Sequence, residues 1–309
     1  MYPIRMAKKK LTIIIVSYNV RQYVDQCLQS VEKALQGIDG EIIVVDNQSE
    51  DDTVPFIKEH HPAVRVIESG GNNGFACANN MGIRQSDSEY VLLLNPDTVV
   101  AENTLQEVLQ FMEAHETVGA CGVQMLNADG TKALESRRGK PTPAVSFYKM
   151  CGLADLFPRS RTFARYYMSW LSWNEPAEIE VVSGAFFFVR RKALDEVGVL
   201  DEDFFMYGED IDLSCRLLNA GWHNCYLPCR IIHYKGGSTD KTTVRYVRVF
   251  YQAMLIYFRK HYAHLNIFAR KGIELAIYIR ALFAMIGILP SRLVHTRVKT
   301  VITPQELLR

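Results

Sequence analysis

Short apolar runs alternate with segments of helical periodicity through the first hundred residues. Four runs of β-branched or aliphatic residues predict buried strands, at 11–16, 41–45, 64–68 and 90–94. Apolar residues at helical spacing predict helices between them, over 23–35, 53–60 and 79–85. This alternation predicts an α/β fold with a doubly wound, mainly parallel central sheet and helices on both of its faces.

The pattern changes beyond about residue 125. Prolines and a basic stretch at 137–140 interrupt residues 127–175, which we expect to be irregular. The later elements are predicted as a strand over 180–189 broken by Ser183-Gly184-Ala185, a helix from 210 to about 220, and a strand pair flanking Pro228. Long apolar patterns predict two final helices, over 245–261 and 268–289.

Polar side chains follow the carboxyl ends of the predicted strands, which is where open α/β sheets bind ligands. They form four clusters, Ser17-Tyr18-Asn19, Asp46-Asn47, Asn72-Asn73-Gly74 and Asn95-Pro96-Asp97. One such cluster alone is typical of a turn, because Asn, Asp and Gly are turn formers. Four clusters at one edge of one sheet favour a binding site.

The turn after the first strand contains no glycine. A dinucleotide-binding fold or a P-loop would carry a Gly-rich turn at this point, so neither is predicted. The ring of Tyr18 and the amide of Asn19 suit a base and a ribose better than a diphosphate. A diphosphate would then be neutralised elsewhere, by a metal ion held by Asp97.

Seven stretches resemble one enzyme family, in the family's order and at matching spacing over about residues 11–240. They read IIIVSYN, IIVVDNQSEDDT, GGNNGFACANNMGI, LLLNPDT, VVSGAFFFVRR, FFMYGEDIDLSCRL and GWHNCYLPCRIIHYKGGS. The sequence resembles glycosyltransferase family 2 with the GT-A fold, and in particular its bacterial rhamnosyltransferase-like branch. The resemblance implies that residues 1–240 form a GT-A domain that binds a nucleotide sugar and carries the catalytic residues.

The resemblance also assigns roles to the polar residues at the strand ends. The predicted donor-binding residues are Ser17, Tyr18, Asn19, Asp46, Asn47, Asn73, Gly74, Asn95 and Asp97. Tyr18 and Asn19 would contact the base or ribose of the donor, and Asp46 would hydrogen-bond its pyrimidine ring. Asn73 and Gly74 would line the nucleoside pocket.

Asn95-Pro96-Asp97 stands where the family has its Asp-x-Asp metal motif. Neutral Asn95 is a poor ligand for a hard cation, so Asp97 is the predicted carboxylate ligand. His233 matches a position where relatives supply a histidine ligand, although by position alone it is also typical of a hydrogen-bonded histidine at a strand end. A carboxylate and an imidazole suit Mn²⁺ at least as well as Mg²⁺, and one of these two ions is the expected cofactor.

Three acids mark the start of the helix predicted near residue 210, namely Glu209, Asp210 and Asp212. Helix capping and the helix dipole explain one of them. Transfer with inversion needs one base that takes the proton of the acceptor hydroxyl. The resemblance favours Asp210 as this base, with Glu209 supporting it or holding the acceptor. Arg216, four residues after Asp212, is predicted to be an ion-pair partner.

We expect the chain to transfer a sugar with inversion from a dTDP- or UDP-sugar, with dTDP-L-rhamnose the first candidate. The expected acceptor is a hydroxyl of a glycan or lipid-linked saccharide in cell-surface polysaccharide synthesis. It would meet Glu209, Gly184 and Ala185, because a glycine lets a ligand approach the backbone closely.

Two other functions stay open. A sugar nucleotidyltransferase would share the nucleotide-binding sheet. Its sequence would also carry a Gly-rich loop after the first strand, and this chain has no glycine there. In a non-catalytic glycan-binding or scaffold protein, Asp97, Asp210 or His233 would be expected to be lost. All three are present.

Charge is divided unevenly along the chain. Residues 241–309 contain 12 Lys or Arg and two acids, whereas residues 1–240 contain 23 Lys or Arg and 32 acids. We expect 241–309 to be a basic, apolar helical segment that contacts the inner leaflet of the membrane, the catalytic domain or a second copy in a homodimer. Nucleic acid is not an expected partner, because the basic residues interleave with aliphatic runs.

The cysteines and histidines predict neither disulfide bonds nor a zinc module. The seven cysteines are scattered and predict no disulfide framework, which favours a cytoplasmic protein. Together with the basic C-terminal segment, this predicts a location on the inner face of the cytoplasmic membrane. His223, Cys225, Cys229 and His233 fall close together, but their spacing lacks the paired ligands of a compact zinc module.

Overall fold

The computed structural model describes residues 8–234 and 243–291, with side chains as far as residue 287. The strands are β1 (Lys9–Ser17), β2 (Gly40–Asp46), β3 (Arg65–Glu68), β4 (Ser88–Leu94), β5 (Thr98–Val100), β6 (Val118–Leu126), β7 (Ala177–Ile179), β8 (Phe186–Arg190) and β9 (His223–His233). The helices are α1 (Arg21–Ala34), α2 (Thr53–His60), α3 (Gly74–Arg84), α4 (Thr104–Ala114), α5 (Pro143–Met150), α6 (Leu153–Leu156), α7 (Arg191–Val197), α8 (Glu209–Asn219), α9 (Val244–His261) and α10 (Ile267–Ser291).

The strands form one sheet in the order β3-β2-β1-β4-β8-β6-β9-β5, with β7 also paired to β9. The half formed by β3, β2, β1 and β4 is parallel throughout. In the other half β6 and β9 are parallel, while β8, β5 and β7 run antiparallel to their neighbours. The predicted α/β class is confirmed, and the parallel half contains the four strands predicted from the first hundred residues.

Successive side chains of β1 pack into cores on opposite faces of the sheet. Ile13 and Ile15 pack with α1 and α4 on one face, whereas Ile14 and Val16 pack with α3 and α7 on the other. This follows from the two-residue period of a strand. It confirms that the apolar run beginning at residue 11 is buried on both faces.

The structure differs from the predicted elements in several places, including the range 127–175, expected to be irregular, which contains helices α5 and α6. Strand β5, helix α4 and strand β6 occupy 98–126, where no elements were predicted, and α3 begins at Gly74 rather than at 79. The run over 180–189 contains only the single strand β8, beginning at Phe186. The strand pair expected around Pro228 is wrong, because β9 is one strand in which a shift of pairing with β6 accommodates the proline.

Helices α9 and α10 pack against each other, and α9 also packs against α8 and the segment before it. Phe204 and Cys215 form a buried cluster with Ala253 and Tyr257 of α9. Within the described ranges 8–234 and 243–291, no helix has the length and apolar character needed to cross a membrane.

The fully buried carboxylate of Asp212 in α8 fixes this arrangement. It accepts from Arg216 Nε at 2.8 Å, from His261 Nε2 at 2.8 Å, and pairs with Lys260 Nζ at 2.9 Å. The predicted pair with Arg216 is therefore present. Burial alone would raise the pKa of Asp212, but the hydrogen bonds from His261, Lys260 and Arg216 lower it to about 2. This third acid of the motif joins α8 to the end of α9.

Candidate active site

A cavity of about 1010 Å³ opens outside the carboxyl ends of β1, β2 and β4. The predicted site residues that line it are Tyr18, Asn47, Gly74, Asn95, Gly184, Ala185, Glu209, Asp210 and His233. Its far wall is formed by α5 and by the helix pair α9–α10. The predicted residues Ser17, Asn19, Asp46, Asn73 and Asp97 lie outside this lining. The stretch after Tyr234 that completes the last matching motif falls among residues 235–242, outside those that the structure describes.

Asp46 holds the loops after β1 and β2 together. Its Oδ1 accepts from Ser17 Oγ at 2.8 Å and from Ser49 Oγ at 2.6 Å, while Oδ2 accepts from Ser49 N at 2.8 Å. The Asn19 amide N–H donates to Ser49 Oγ at 2.9 Å. Asn19 itself has a φ of +53°, in the left-handed region that Asn tolerates. These bonds fix the rim of the cavity on which Tyr18 is exposed.

Gly74 connects this donor-side loop to the segment that precedes α8. Its φ is +87°, and a Cβ at this position would lie 2.4 Å from the carbonyl oxygen of Phe205. The next residue, Phe75, donates its N–H to the same carbonyl at 2.7 Å. Asn47 Nδ2 donates to the carbonyl of Gly74 at 3.1 Å. Only glycine fits this approach, which brings two predicted site loops into contact.

Asp97 and His233 meet at the ends of β4 and β9. Asp97 is 2% exposed, and its Oδ1 lies 3.3 Å from His233 Nε2 but receives no hydrogen bond. The pairing of Thr98 with His233 in the sheet places these side chains together. Asn95 Nδ2 lies 3.5 Å from His233 Nε2.

These atoms fit a divalent cation. A buried carboxylate oxygen with no hydrogen-bond donor, beside an imidazole nitrogen, matches two ligands of an Mn²⁺-type site. No group of three or more His, Cys, Asp or Glu suited to a metal occurs within residues 8–234 and 243–291. Asp97 and His233 are thus two candidate ligands for such a cation.

Asp210 lies at the start of α8, facing the backbone of Gly184. Its Oδ2 accepts from Gly184 N at 3.0 Å and forms an ion pair with Arg138. A Cβ on Gly184 would lie 3.4 Å from the Asp210 Cβ. The loop before β8 can therefore approach the carboxylate closely because residue 184 is glycine.

Glu209, the neighbour of Asp210, is buried. It is 5% exposed, and its Oε2 is buried without a hydrogen bond. Burial and the nearby charge of Asp210 raise the pKa of Glu209 to about 8. Burial lowers the pKa of Arg138, but its pairing with Asp210 raises it overall. The raised pKa favours the protonated form of Glu209 at neutral pH, and Asp210 lines the cavity beside Arg138.

Sequence patterns gave no role to Arg138, Lys149 or Tyr166, which also line the cavity. The basic stretch at 137–140 was visible, but its place in the fold depends on an isolated bridge between Arg138 and Val181. The apolar periodicity of the sequence also predicted α9 and α10. It did not predict that they pack over the cavity, because that packing depends on the contacts of Asp212 with α9.

The profile of the family described as glycosyl transferase family 2 matches residues 12–198. An N-acetylglucosaminyl-diphospho-decaprenol L-rhamnosyltransferase of Mycobacterium tuberculosis is 27% identical over 80% of this chain and 83% of its own length. A rhamnosyltransferase of Escherichia coli K12 is 27% identical over 72% of this chain and 82% of its own length.

Solved structures show the same fold. A mannosyltransferase from Pyrobaculum calidifontis, in complex with GDP-Man and Mn²⁺, has a TM-score of 0.55 at 17% identity, covering 94% of this chain and 77% of that one. S. aureus TarS 1–349 in complex with UDP has a TM-score of 0.51 at 16% identity, covering 92% and 82%. The GT-A fold expected from the sequence is confirmed.

Proposed function

The chain belongs to glycosyl transferase family 2, and from this premise we propose that it transfers a sugar with inversion from a dTDP- or UDP-sugar to a hydroxyl of a glycan or lipid-linked saccharide. L-rhamnose is the first candidate sugar, because two relatives are named as rhamnosyltransferases. The product would serve the assembly of a cell-surface polysaccharide.

One observation carries the proposal. The polar strand-end residues Asn47 and Asn95 line the same cavity as Asp210 and the backbone of Gly184. A nucleotide sugar bound at the strand ends would therefore have room to present its anomeric carbon towards Asp210. The cavity volume of about 1010 Å³ is at the upper end for small-molecule sites, which suits two substrates bound together.

Asp210 would act as the general base. The acceptor oxygen attacks the anomeric carbon as the carbon–oxygen bond to the nucleoside diphosphate breaks, and the hydroxyl proton passes to Asp210. Because this is one displacement, the anomeric configuration inverts.

Asp97 and His233 would hold the divalent cation, and Asn95 would contact the donor. When bound, such a cation stabilises the negative charge on a departing diphosphate. Mn²⁺ is preferred over Mg²⁺ for this chain because one of the two ligands is an imidazole. The mannosyltransferase with the same fold was solved with Mn²⁺.

Nucleotide binding tests the donor half of the proposal. Thermal unfolding would be followed with dTDP, UDP, GDP and ADP, each with and without Mn²⁺. We expect dTDP or UDP to raise Tm, and Mn²⁺ to enlarge the increase, because a ligand that binds only the folded state stabilises it. Absence of any nucleotide-dependent shift would contradict the proposal.

The outer face of α10 supports a membrane-surface location. Exposed apolar side chains recur along it at spacings of seven, four, three and four residues, namely Phe268, Leu275, Ile279, Leu282 and Ile286. The described part of α9 and α10 contains seven Lys or Arg and one acid, Glu274. A second copy would bring the same positive charge to this face, whereas an anionic leaflet attracts it. The proposed occupant of the face is therefore the anionic inner leaflet.

Vesicle flotation tests this location. The chain should float with phosphatidylglycerol vesicles and not with phosphatidylcholine vesicles, and added salt should weaken binding. Leu282→Glu should abolish flotation, whereas Gln36→Glu, the same charge change on the opposite side of the fold, should not. A concentration-dependent dimer that Leu282→Glu disrupts, with no flotation, would overturn the membrane assignment in favour of a second copy.

A further inference from the structure

The two oxygens of the Asp210 carboxylate have different surroundings. Oδ2 accepts from Gly184 N at 3.0 Å and from Arg138 Nη2. Among the described residues, Oδ1 accepts from Ile211 N at 2.8 Å and from no second donor. Each carboxylate oxygen has two lone pairs. Oδ2 therefore has both lone pairs engaged within the chain, whereas Oδ1 keeps one for a ligand in the cavity that Asp210 lines.

The backbone of Arg138 is attached to the same loop that supplies the other donor to Oδ2. Its carbonyl accepts from Glu180 N at 3.1 Å and from Val181 N at 2.9 Å. This bridge joins Arg138 to the segment that leads to Gly184. Both donors to Oδ2 are thus supported by one short stretch of chain, residues 180–184. Such a support holds the carboxylate in one orientation, with Oδ1 left for a substrate.

The ion pair between Arg138 and Asp210 is largely enclosed. Their side chains are 16% and 13% exposed, so solvent screens their attraction less than it would at the surface. The charge of Asp210 is repelled by that of Glu209. Arg138 offsets this repulsion, because an opposite charge favours the ionised form of a carboxyl group. The other ionisable groups whose charges act on the pair are Tyr166, Glu135 and Lys149.

We propose that Arg138 is the positioning residue of the general base. With Gly184 N it engages Oδ2, so that Oδ1 of Asp210 takes the proton, and its charge keeps that carboxylate ionised before the reaction. The inference rests on the proposed function, in which Asp210 is the base. As the O–H bond of the acceptor breaks, its oxygen bonds to the anomeric carbon and the proton passes to Oδ1. The electron pair of the old carbon–oxygen bond leaves with the nucleoside diphosphate. Arg138 acts through Asp210 and touches no reacting atom.

The pH dependence of turnover tests this role. Release of the nucleoside diphosphate by the full chain would be followed between about pH 5 and pH 9 with Mn²⁺, dTDP-L-rhamnose and an N-acetylglucosaminyl-diphospho-polyprenol. We expect Arg138→Gln to lower kcat at pH 7 by about tenfold to a hundredfold, because a displaced catalytic group can cost about 10² in rate. The acid limb of the kcat profile should move up by about one pH unit or more, because less of the base is ionised once the cation is removed.

Arg138→Lys separates the charge from the geometry. It retains the positive charge, so the acid limb should lie close to that of the parent chain. Its kcat should recover only in part, because a flexible ammonium does not reproduce the planar guanidinium. The KM for dTDP-L-rhamnose should stay within about threefold in both variants, since Arg138 stabilises the base rather than the bound donor.

Two further measurements check the interpretation. The nucleotide-dependent shift in Tm shows whether each variant is folded. If Arg138→Gln does not fold, the milder Arg138→Lys tests the same loss of kcat at constant KM. Arg159→Gln removes an exposed arginine of the same irregular segment, outside the cavity lining, and should change neither kcat nor its pH profile.

The outcomes separate this inference from the proposed function. An acid limb at the same pH in Arg138→Gln and in the parent chain would overturn the role of Arg138. A loss confined to KM would overturn it too, because Arg138 would then bind a substrate directly. In both cases the parent chain turns over, so the proposed function stands. Absence of turnover in the parent chain would instead contradict the proposed function.

Discussion

The donor and acceptor sides of the cavity are built in different ways. The donor side consists of strand ends whose polar residues are fixed by short hydrogen bonds, such as those of Asp46 to Ser17 and Ser49. The acceptor side consists of an irregular segment and two helices, held by ion pairs between distant parts of the chain. Asp212 and Arg138 are the centres of these pairs. One side is therefore set by sheet register, and the other by packing that can vary without altering the sheet.

The difference has a chemical counterpart. The proposed donor side presents amides and a carboxylate, which suit the polar groups of a nucleotide. The proposed acceptor side presents apolar walls with the cations Arg138 and Lys149. Substitutions on the two sides should accordingly change different measurements.

The largest expected effect is at the point where the two sides meet. Asp210→Asn should lower the transfer rate about 10³-fold or more, since general base catalysis contributes about 10²–10⁴. The nucleotide-dependent shift in Tm should stay unchanged, because Asp210 contacts neither predicted metal ligand. Initial rates of nucleoside diphosphate release with acceptor present would measure the loss.

Glu209→Gln is the matched control for this substitution. It should keep the rate at pH 7 within about tenfold, because Glu209 is already protonated there. A larger loss than for Asp210→Asn would exchange the roles of the two acids.

Asp212→Asn should lower the stability of the protein and weaken the packing of α9 and α10 on α8. Removing one member of a buried ionic network destabilises a fold by about 3 kcal/mol or more. Because the pKa of Asp212 is lowered to about 2, its contribution is present above the ordinary Asp value and is lost as pH falls towards about 2. Urea unfolding at pH 7, with limited proteolysis at residues 243–291, would detect the loss. Asp195→Asn, an exposed change on α7, should leave stability within about 0.5 kcal/mol.

Gly74→Ala should disturb the contact between the donor-side loop and the segment before α8. Left-handed backbone costs a non-glycine residue roughly 1–2 kcal/mol, and a Cβ 2.4 Å from the Phe205 oxygen adds a steric clash. Gly70→Ala shares the positive φ, at +74°, but meets no atom within 4 Å. The unfolding free energy should therefore fall more for Gly74→Ala than for Gly70→Ala. Equal losses would show that the contact with Phe205 contributes nothing.

Asp97→Asn should affect the donor side alone. The Mn²⁺-dependent part of nucleotide affinity should fall about 10–100-fold, whereas nucleotide binding in EDTA should not change, because only the metal ligand is lost. Isothermal titration with and without Mn²⁺ measures both. An unchanged affinity in Mn²⁺ would remove Asp97 from the metal site.

The last prediction concerns the pH dependence of stability. Glu209 has a pKa raised to about 8, so it must lose a proton on unfolding at intermediate pH, and stability falls as pH rises from about 4.5 towards 8. Glu209→Gln removes this titration. The Tm of the variant should exceed that of the parent chain at pH 9 and approach it at pH 5. A difference in Tm that is independent of pH would contradict the raised pKa.

The donor side could be predicted from the sequence because its information is local. A continuous apolar run followed by polar residues defines each strand and its end, and parallel strands bring these ends to one edge. Residues such as Asn47 and Asn95 were identified in this way. The prediction did not show that Asp46 acts within the chain by joining Ser17 to Ser49, since that bond depends on the pairing of β1 with β2.

The acceptor side could not be predicted to the same degree because its contacts are distant in sequence. Arg138 reaches Asp210 across 72 residues, and Lys260 reaches Asp212 across nearly fifty. Neither pairing leaves a periodic signal. Pro228 does give a local signal, but that signal led to the wrong element. A bulge lets β9 continue past the proline, which usually ends a strand.

Product stereochemistry tests the central claim most directly. The chain would be incubated with Mn²⁺, dTDP-L-rhamnose or a UDP-sugar, and an N-acetylglucosaminyl-diphospho-polyprenol acceptor, and the new linkage would be examined by the C1–H1 coupling constant in NMR. We predict release of the nucleoside diphosphate together with a glycosidic bond of inverted anomeric configuration, abolished by Asp210→Asn. A retained configuration, or no turnover of any dTDP- or UDP-sugar, would contradict it.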